Sequence, residues 1–478
     1  MATRLLHEEA PGLPVSRQAA PAREAGTPPT AVPGSGPARA PLLLPGLVWA
    51  GSRATPHGSG LALAAGGVLL AGLRRREPQW RPDLLLLRLA VAAGLTAYAR
   101  TAHRVVMLGH FHRQAHPTLV VSNHSHDLDG MVIMPYLYLH GPLSRVPRAV
   151  ASQRLFEPGF LASRSPAWLA ALVRGWNLDR ILRALGALPV EDYPRRRPLA
   201  SYAAEIRTRH GNLPLAAVLA PGWREQVPPG ARLTALWGPR LFRLGQSPLP
   251  LSALADPYRQ EIRQATRPRI EAQLAAAADA LAAGDTVYLT PEGEFSDDGY
   301  LRRFREALRR LQPLAAEVVL AASAYDPFRP GRLTLYVHLC RLEAGRDLRT
   351  ALAAARPVTF SQLLGAAWAG DEPLSPDIVR RRLEALRAAL PPAAVLAPGL
   401  DRLLGPGLER MLAALTARGI LRPGPDGLRP GRRHDPRFAN VPDLFTYQAA
   451  FLAETLDALG AGLPARPGPA RRAAARRG

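Results

Sequence analysis

From about residue 103 the chain alternates short apolar runs with longer amphipathic ones. Arg104-Val105-Val106-Met107-Leu108 and Thr118-Leu119-Val120-Val121 are too short for helices and have the apolar, β-branched content of buried strands. The run from Met131 to Leu137 predicts a helix with Asp127 as its N-cap. Leu178 to Leu185 predicts another helix, and Gly186-Ala187-Leu188-Pro189-Val190 the start of a strand. Ile270 to Ala283 is an Ala-rich helix ended by Gly284-Asp285, leading to a strand over Thr286 to Leu289. An amphipathic helix over Leu301 to Leu308 and strands over Glu317 to Ala322 and Leu333 to Leu339 follow. Strands alternating with helices predict an α/β sheet covered on both faces. Residues 350–462 are helix-rich, with apolar periodicity in Ile378 to Leu390 and Leu408 to Leu421.

The flanks differ. Residues 1–57 are rich in Pro, Ala and Gly and predict a disordered tail, as does the basic stretch 463–478. Within 58–102, Leu61 to Leu73 is apolar and closed by Arg74-Arg75-Arg76, while Leu84 to Ala99 is broken by Arg88. Neither reaches the roughly 18–20 uninterrupted apolar residues of a spanning helix. Two apolar helices edged by Arg and Trp80 fit attachment at a membrane interface; a helical hairpin packed on the domain is the alternative. Residues 198–268, full of Pro, Gly and Trp around Pro221 to Pro250, read as an insertion of irregular structure or a lid.

Composition narrows the partners. The 478 residues suffice for two compact domains plus tails, and 47% hydrophobic content supports a sizeable core. The formal charge is +23, and all 61 basic residues are Arg. Such a surface attracts anionic headgroups and polyphosphates such as coenzyme A. Zinc-finger spacing, an aromatic RNA-binding strand motif and a basic zipper are all missing, so nucleic acid is not an expected partner. A single cysteine, Cys340, excludes an intramolecular disulfide, and the N-terminus lacks a signal-peptide pattern.

The chemistry concentrates in Val120-Val121-Ser122-Asn123-His124-Ser125-His126-Asp127-Leu128-Asp129. Histidine titrates where proton transfer near neutrality needs it. A carboxylate on its far nitrogen fixes the tautomer and stabilises the imidazolium. The i,i+5 spacing does not suit one face of a helix. It works if His124 follows a strand and Asp129 lies in the first turn of the next helix. His124, His126, Asp127 and Asp129 also form a dense set of metal ligands. A metal-dependent hydrolase is therefore a rival reading, although the His-x-His-x-Asp-His pattern would need Asp at 128 and His at 129.

A second island, Val287-Tyr288-Leu289-Thr290-Pro291-Glu292-Gly293-Glu294-Phe295-Ser296, repeats the layout of apolar strand and polar turn. In this order the two islands resemble the first and third sequence blocks of the glycerolipid acyltransferases, the family that includes lysophosphatidic-acid acyltransferase. Leu178 to Val190, preceded by Leu155-Phe156-Glu157-Pro158, resembles the second block, and Val318 to Ala324 stands where the fourth would. Ala439 to Gln448 is faintly similar to the C-terminal region of some glycerol-3-phosphate acyltransferases.

The resemblance implies an α/β fold with a mixed central sheet flanked by helices. It assigns the catalytic domain to 103–349, with an N-terminal apolar helical hairpin and a C-terminal helical extension. His124 would be the general base, Asp129 its partner, and Glu292, Gly293 and Arg195 substrate-binding residues. The product would be a glycerolipid, made by moving an acyl group from acyl-CoA or acyl carrier protein to a glycerol-phosphate or lysolipid hydroxyl. No metal or redox cofactor is required. The expected location is the membrane surface on the cytoplasmic face of the inner membrane. The chain departs from the family pattern in three places. Glu294-Phe295-Ser296 replaces Thr-Arg-Ser, Glu191-Asp192 replaces the second-block arginine, and the fourth-block prolines are missing. Arg302, Arg303 or Arg305 would have to replace the lost phosphate grip. A non-catalytic lipid-binding protein with a degenerate acyltransferase fold is the other alternative.

Overall fold

The computed structural model describes residues 81–462, apart from 112–115, 141–146, 158, 164–169, 171–172, 174–177, 192–195, 369 and 371. The apolar run Leu61 to Leu73, Trp80, Arg195 and both tails lie outside the described residues.

Seven strands form the central sheet: β1 (Arg104–Leu108), β2 (Thr118–Val121), β3 (Arg148–Ser152), β4 (Ala187–Val190), β7 (Thr286–Leu289), β8 (Glu317–Asp326) and β9 (Thr334–Arg341). Their spatial order is β1-β9-β8-β2-β7-β3-β4. Neighbours from β8 through β4 run parallel, whereas β9 pairs antiparallel with β8 and β1 parallel with β9. The sheet is therefore mixed and mostly parallel. β2 and β7, at its centre, are buried along their whole length. That explains their unbroken apolar character, since strands of a covered parallel sheet bury both faces. β3 has no such signal. Its sequence Arg-Ala-Val-Ala-Ser is only partly buried, and Arg148 pairs with Asp285 at 3.0 Å.

Val120, Tyr288, Val319 and Val337 point to one face, where the helices Leu128–His140, Phe360–Ala367 and Leu444–Ala458 pack. Leu119, Val121, Val287 and Leu320 point to the other, covered by the helices Tyr258–Ala282, Glu306–Leu311 and Leu348–Ala354. The C-terminal helices thus share the core of the sheet; residues beyond 350 do not form a core of their own. Gly365 allows a close crossing there, because a Cβ would lie 2.7 Å from the Phe445 carbonyl oxygen. Buried Arg356, just after the helix Leu348–Ala354, pairs with Glu454 at 2.9 Å and lies over the Phe451 ring, tying that segment to the helix Leu444–Ala458.

Three expectations change. The helix expected over 301–308 begins only at Glu306. The N–H groups of Leu301, Arg302 and Arg305 are bound instead to Glu454, Glu292 and Pro291. The helix expected over 270–283 begins at Tyr258 and continues through Pro268, so an insertion ending at 268 would cut it in two. The insertion itself is compact rather than irregular. Leu199, Tyr202, Ile206, Leu215, Leu233 and Leu254 form a separate apolar cluster. β5 (Arg196–Pro198) and β6 (Pro248–Pro250) close it as an antiparallel pair.

The second apolar run of the expected hairpin is the helix Arg81–Ala102. It buries Leu87, Ala92 and Ala99, and Arg88 donates to the Ala184 carbonyl. Among the described residues, no helix is long and apolar enough to cross a membrane.

Candidate active site

β2 and β7 are parallel neighbours in register, with Val121 beside Leu289. Three residues beyond each, His124 and Glu292 emerge side by side at the carboxyl end of the sheet, where open α/β sheets characteristically hold ligands. Asn123 fixes the first loop. Its Oδ1 accepts the Ser323 N–H at 2.7 Å, and its Nδ2 donates to the Ser323 carbonyl at 3.0 Å. The amide thereby stands in for one more residue of β2 pairing with β8.

Asp129 lies in the first turn of the helix Leu128–His140 and is fully buried. Its Oδ2 accepts the N–H groups of Ser125 and His126 at 2.8 and 2.9 Å, and stands 3.6 Å from Nδ1 of His124. Its Oδ1 accepts the hydroxyl of Tyr325, from β8, at 2.7 Å. Burial disfavours the charge of this carboxyl, yet the imidazole, the Tyr325 hydroxyl and the His126 N–H outweigh it and hold it below the ordinary carboxylate value. The Tyr325 hydroxyl is pushed well up by burial and by the Asp129 charge, so it remains a donor.

His124 keeps 23% of its side-chain surface exposed. Its ring stacks at a tilt on Phe295, with centroids 4.2 Å apart. Nδ1 faces Asp129, which leaves Nε2 for an incoming group. Phe295 therefore forms a wall against one face of the imidazole.

Glu292 does not stand open to an acceptor as expected. It is 2% exposed; Oε1 accepts the His124 N–H at 2.8 Å and Oε2 the Arg302 N–H at 2.7 Å. Burial pushes it up to about 7, against two N–H bonds that favour its charge. Its place is between two loops, as a brace. Gly293 has φ +70°, and a Cβ there would lie 2.5 Å from Nε of Arg305. The close approach that glycine permits is filled by this arginine, which donates to the Glu292 carbonyl at 3.1 Å and pairs with Glu294 at 3.0 Å. The Gly293 N–H bonds the Thr290 carbonyl. The turn thus carries an arginine from the following segment rather than an open nest for a ligand.

Arg195 lies outside the described residues, so its expected phosphate contact has no geometry here. Its neighbour Arg197 is committed to Glu191, Glu205 and Glu157 at 3.1, 3.3 and 3.4 Å. Arg302 pairs with Asp297, and Arg303 is exposed.

The four proposed metal ligands do not converge. Nδ1 of His126 accepts the Leu128 N–H, and Nε2 bonds the Arg437 carbonyl at 2.8 Å, so the neutral ring carries its proton on Nε2. This ring packs at a tilt on Tyr325 and edge-on to Phe438. Among the described residues, no group of three or more His, Cys, Asp or Glu is arranged to hold a metal ion.

Several residues of the site escaped the sequence reading. Tyr325 lies three residues beyond the strand expected over Glu317 to Ala322, Tyr447 falls in the segment Ala439 to Gln448 that carries only a faint similarity, and Phe438 stands just before that segment. Tyr447 is buried beside Ser125, and burial pushes its hydroxyl up to about 12. Asn440 donates to the Ser296 carbonyl at 2.7 Å, closing the second loop from the C-terminal side. The signal available was the string of polar residues in an otherwise apolar helix, Thr446, Tyr447 and Gln448. No family model matches this chain, and no curated protein matches it.

Proposed function

We propose that this protein is an acyltransferase that moves an acyl group from a thioester to the hydroxyl of a glycerol-phosphate or lysolipid acceptor in phospholipid synthesis. The observation that carries the reading is the His124–Asp129 pair. A partly exposed imidazole faces a buried carboxylate that its surroundings keep charged, at the carboxyl ends of parallel strands. This is the arrangement of a general base whose imidazolium is stabilised from behind.

In the proposed reaction, Nε2 of His124 takes the proton of the acceptor hydroxyl as its oxygen bonds to the thioester carbonyl carbon. The carbon–sulfur bond then breaks, and the thiolate of coenzyme A or acyl carrier protein takes the proton from the imidazolium. Glu292 holds the His124 backbone, Asn123 holds the loop, and Phe295 limits ring rotation. Work at a membrane surface on the cytoplasmic face of the inner membrane fits a lipid acceptor and a formal charge of +23.

The test is incubation of purified protein with radiolabelled palmitoyl coenzyme A or palmitoyl acyl carrier protein. The acceptors are glycerol-3-phosphate, lysophosphatidate, other lysolipids and an unphosphorylated lipid alcohol. Labelled ester that disappears in His124→Ala supports the reading and names the acceptor. Folded protein that transfers to none of them from either donor counts against it.

A further inference from the structure

We propose that the arginine-lined groove beside the second loop binds the phosphorylated nucleotide end of coenzyme A, making coenzyme A the acyl carrier. The choice of thioester rests on the acyl-transfer reading; the groove's affinity for a polyphosphate does not. The groove is an open cavity of about 660 Å³. Arg302, Arg303, Arg309, Arg346 and Arg349 line it, against two aspartates, Asp298 and Asp347. Arg303 is exposed and, among the described residues, has neither a hydrogen bond nor an ion pair. Among the described residues, the ion pairs of Arg309 and Arg346 are the long ones, at 3.6 and 3.5 Å, to the exposed Glu306 and Glu343. Three guanidinium groups are therefore available to phosphate oxygens, the ligand their planar donor forks suit.

The floor is different. Phe304 lies under Arg349, and Leu301 and Leu348 are buried beside it. A charged rim over an aromatic and aliphatic floor suits a purine carrying several phosphates better than a flat lipid surface or the single phosphodiester of a carrier protein. The groove also joins the dyad physically. The Arg302 N–H bonds Oε2 of Glu292 while Oε1 accepts the His124 N–H, so one carboxylate spans groove wall and catalytic loop.

The test uses the full chain and the double variant Arg303→Ala/Arg346→Ala. Arg302 and Arg349 stay because the Arg302 guanidinium pairs with Asp297 and Arg349 bonds the Leu301 and Arg302 carbonyls. Calorimetry would measure coenzyme A, dephospho-coenzyme A and adenosine 3′,5′-bisphosphate. Coenzyme A should bind in competition with the bisphosphate, and loss of its 3′-phosphate should weaken it. The double variant, with an unchanged circular dichroism spectrum, should bind coenzyme A roughly tenfold or more weakly. His124→Ala should bind as the wild type does. Equal affinity in the double variant overturns the proposal. So does a variant defect confined to vesicles containing phosphatidylglycerol or to acyl carrier protein. The two readings fail separately. Groove-dependent coenzyme A binding without any ester product defeats acyl transfer alone, and ester formation that the double variant leaves unchanged defeats the groove alone.

Discussion

Two carboxyl groups lie beyond the ends of adjacent parallel strands, both almost wholly buried, and their pKa values are shifted in opposite directions. Asp129 receives two backbone N–H groups, a tyrosine hydroxyl and a facing imidazole, and its pKa falls. Glu292 receives two backbone N–H groups and nothing more from the hydrogen-bond network, and burial carries it up to about 7. The difference shows that burial alone does not set a carboxyl's role. The Tyr325 hydroxyl and the facing imidazole tip Asp129 toward its charged form, whereas at Glu292, with no side-chain hydrogen-bond donor, burial outweighs the two N–H groups and the charges of His124 and Arg356.

The largest expected effect separates the two directly. His124→Ala and Asp129→Asn should each lower acyl transfer by about 10²–10⁴-fold in a steady-state assay, with the secondary structure retained. Glu292→Gln should spare much more of the turnover, because the brace touches no reacting atom. A Glu292→Gln loss as large as that of His124→Ala would erase the distinction.

Next comes stability against pH. Glu292 is raised in the folded state, so its protonated form favours folding. That stability is fully present below about 4.5 and is lost as pH rises through about 7. Between those values the wild type should lose up to about 3 kcal/mol that Glu292→Gln does not lose, measured by urea unfolding at each pH. Asp129 has the opposite sign. Its contribution is present above its unfolded pKa and is lost as pH falls through its depressed folded value. Parallel pH curves for wild type and Glu292→Gln would contradict the assignment.

Tyr325→Phe should produce the smallest change, about 1–3 kcal/mol in unfolding free energy, because it removes one bond to a charged, buried oxygen. It should also move the acid limb of the rate profile to higher pH, drawing Asp129 toward the state of Glu292. An unmoved acid limb would remove Tyr325 from the charge-holding set.

Much of this site was legible because its key residues lie within six positions of each other. His124, Asp129 and the strand before them carry a local pattern, and so do β7 and its turn. What was hidden depends on distance along the chain. Tyr325 reaches Asp129 across 196 positions, and a tyrosine in a buried strand reads as core. Gly293 was expected to admit a ligand, whereas the space is taken by Arg305, which no spacing rule could specify. β3 has too few large apolar residues to mark a strand. The insertion looked irregular because its helices are mostly four or five residues long, below the length at which a helical period shows.

The helix Leu444–Ala458 has a consequence for the order of events at the ribosome. Its Glu454 holds the Leu301 N–H and the buried Arg356, and Tyr447 lies under the loop that carries His124. A nascent chain released as far as β9 has every strand of the sheet but cannot yet finish the walls of its own site. Translation must carry the polypeptide past Ala458 before those contacts close, so a nonsense mutation anywhere after β9 and before this helix should leave an unfinished site and an exposed apolar sheet face, a substrate for chaperones and proteases rather than a shortened enzyme.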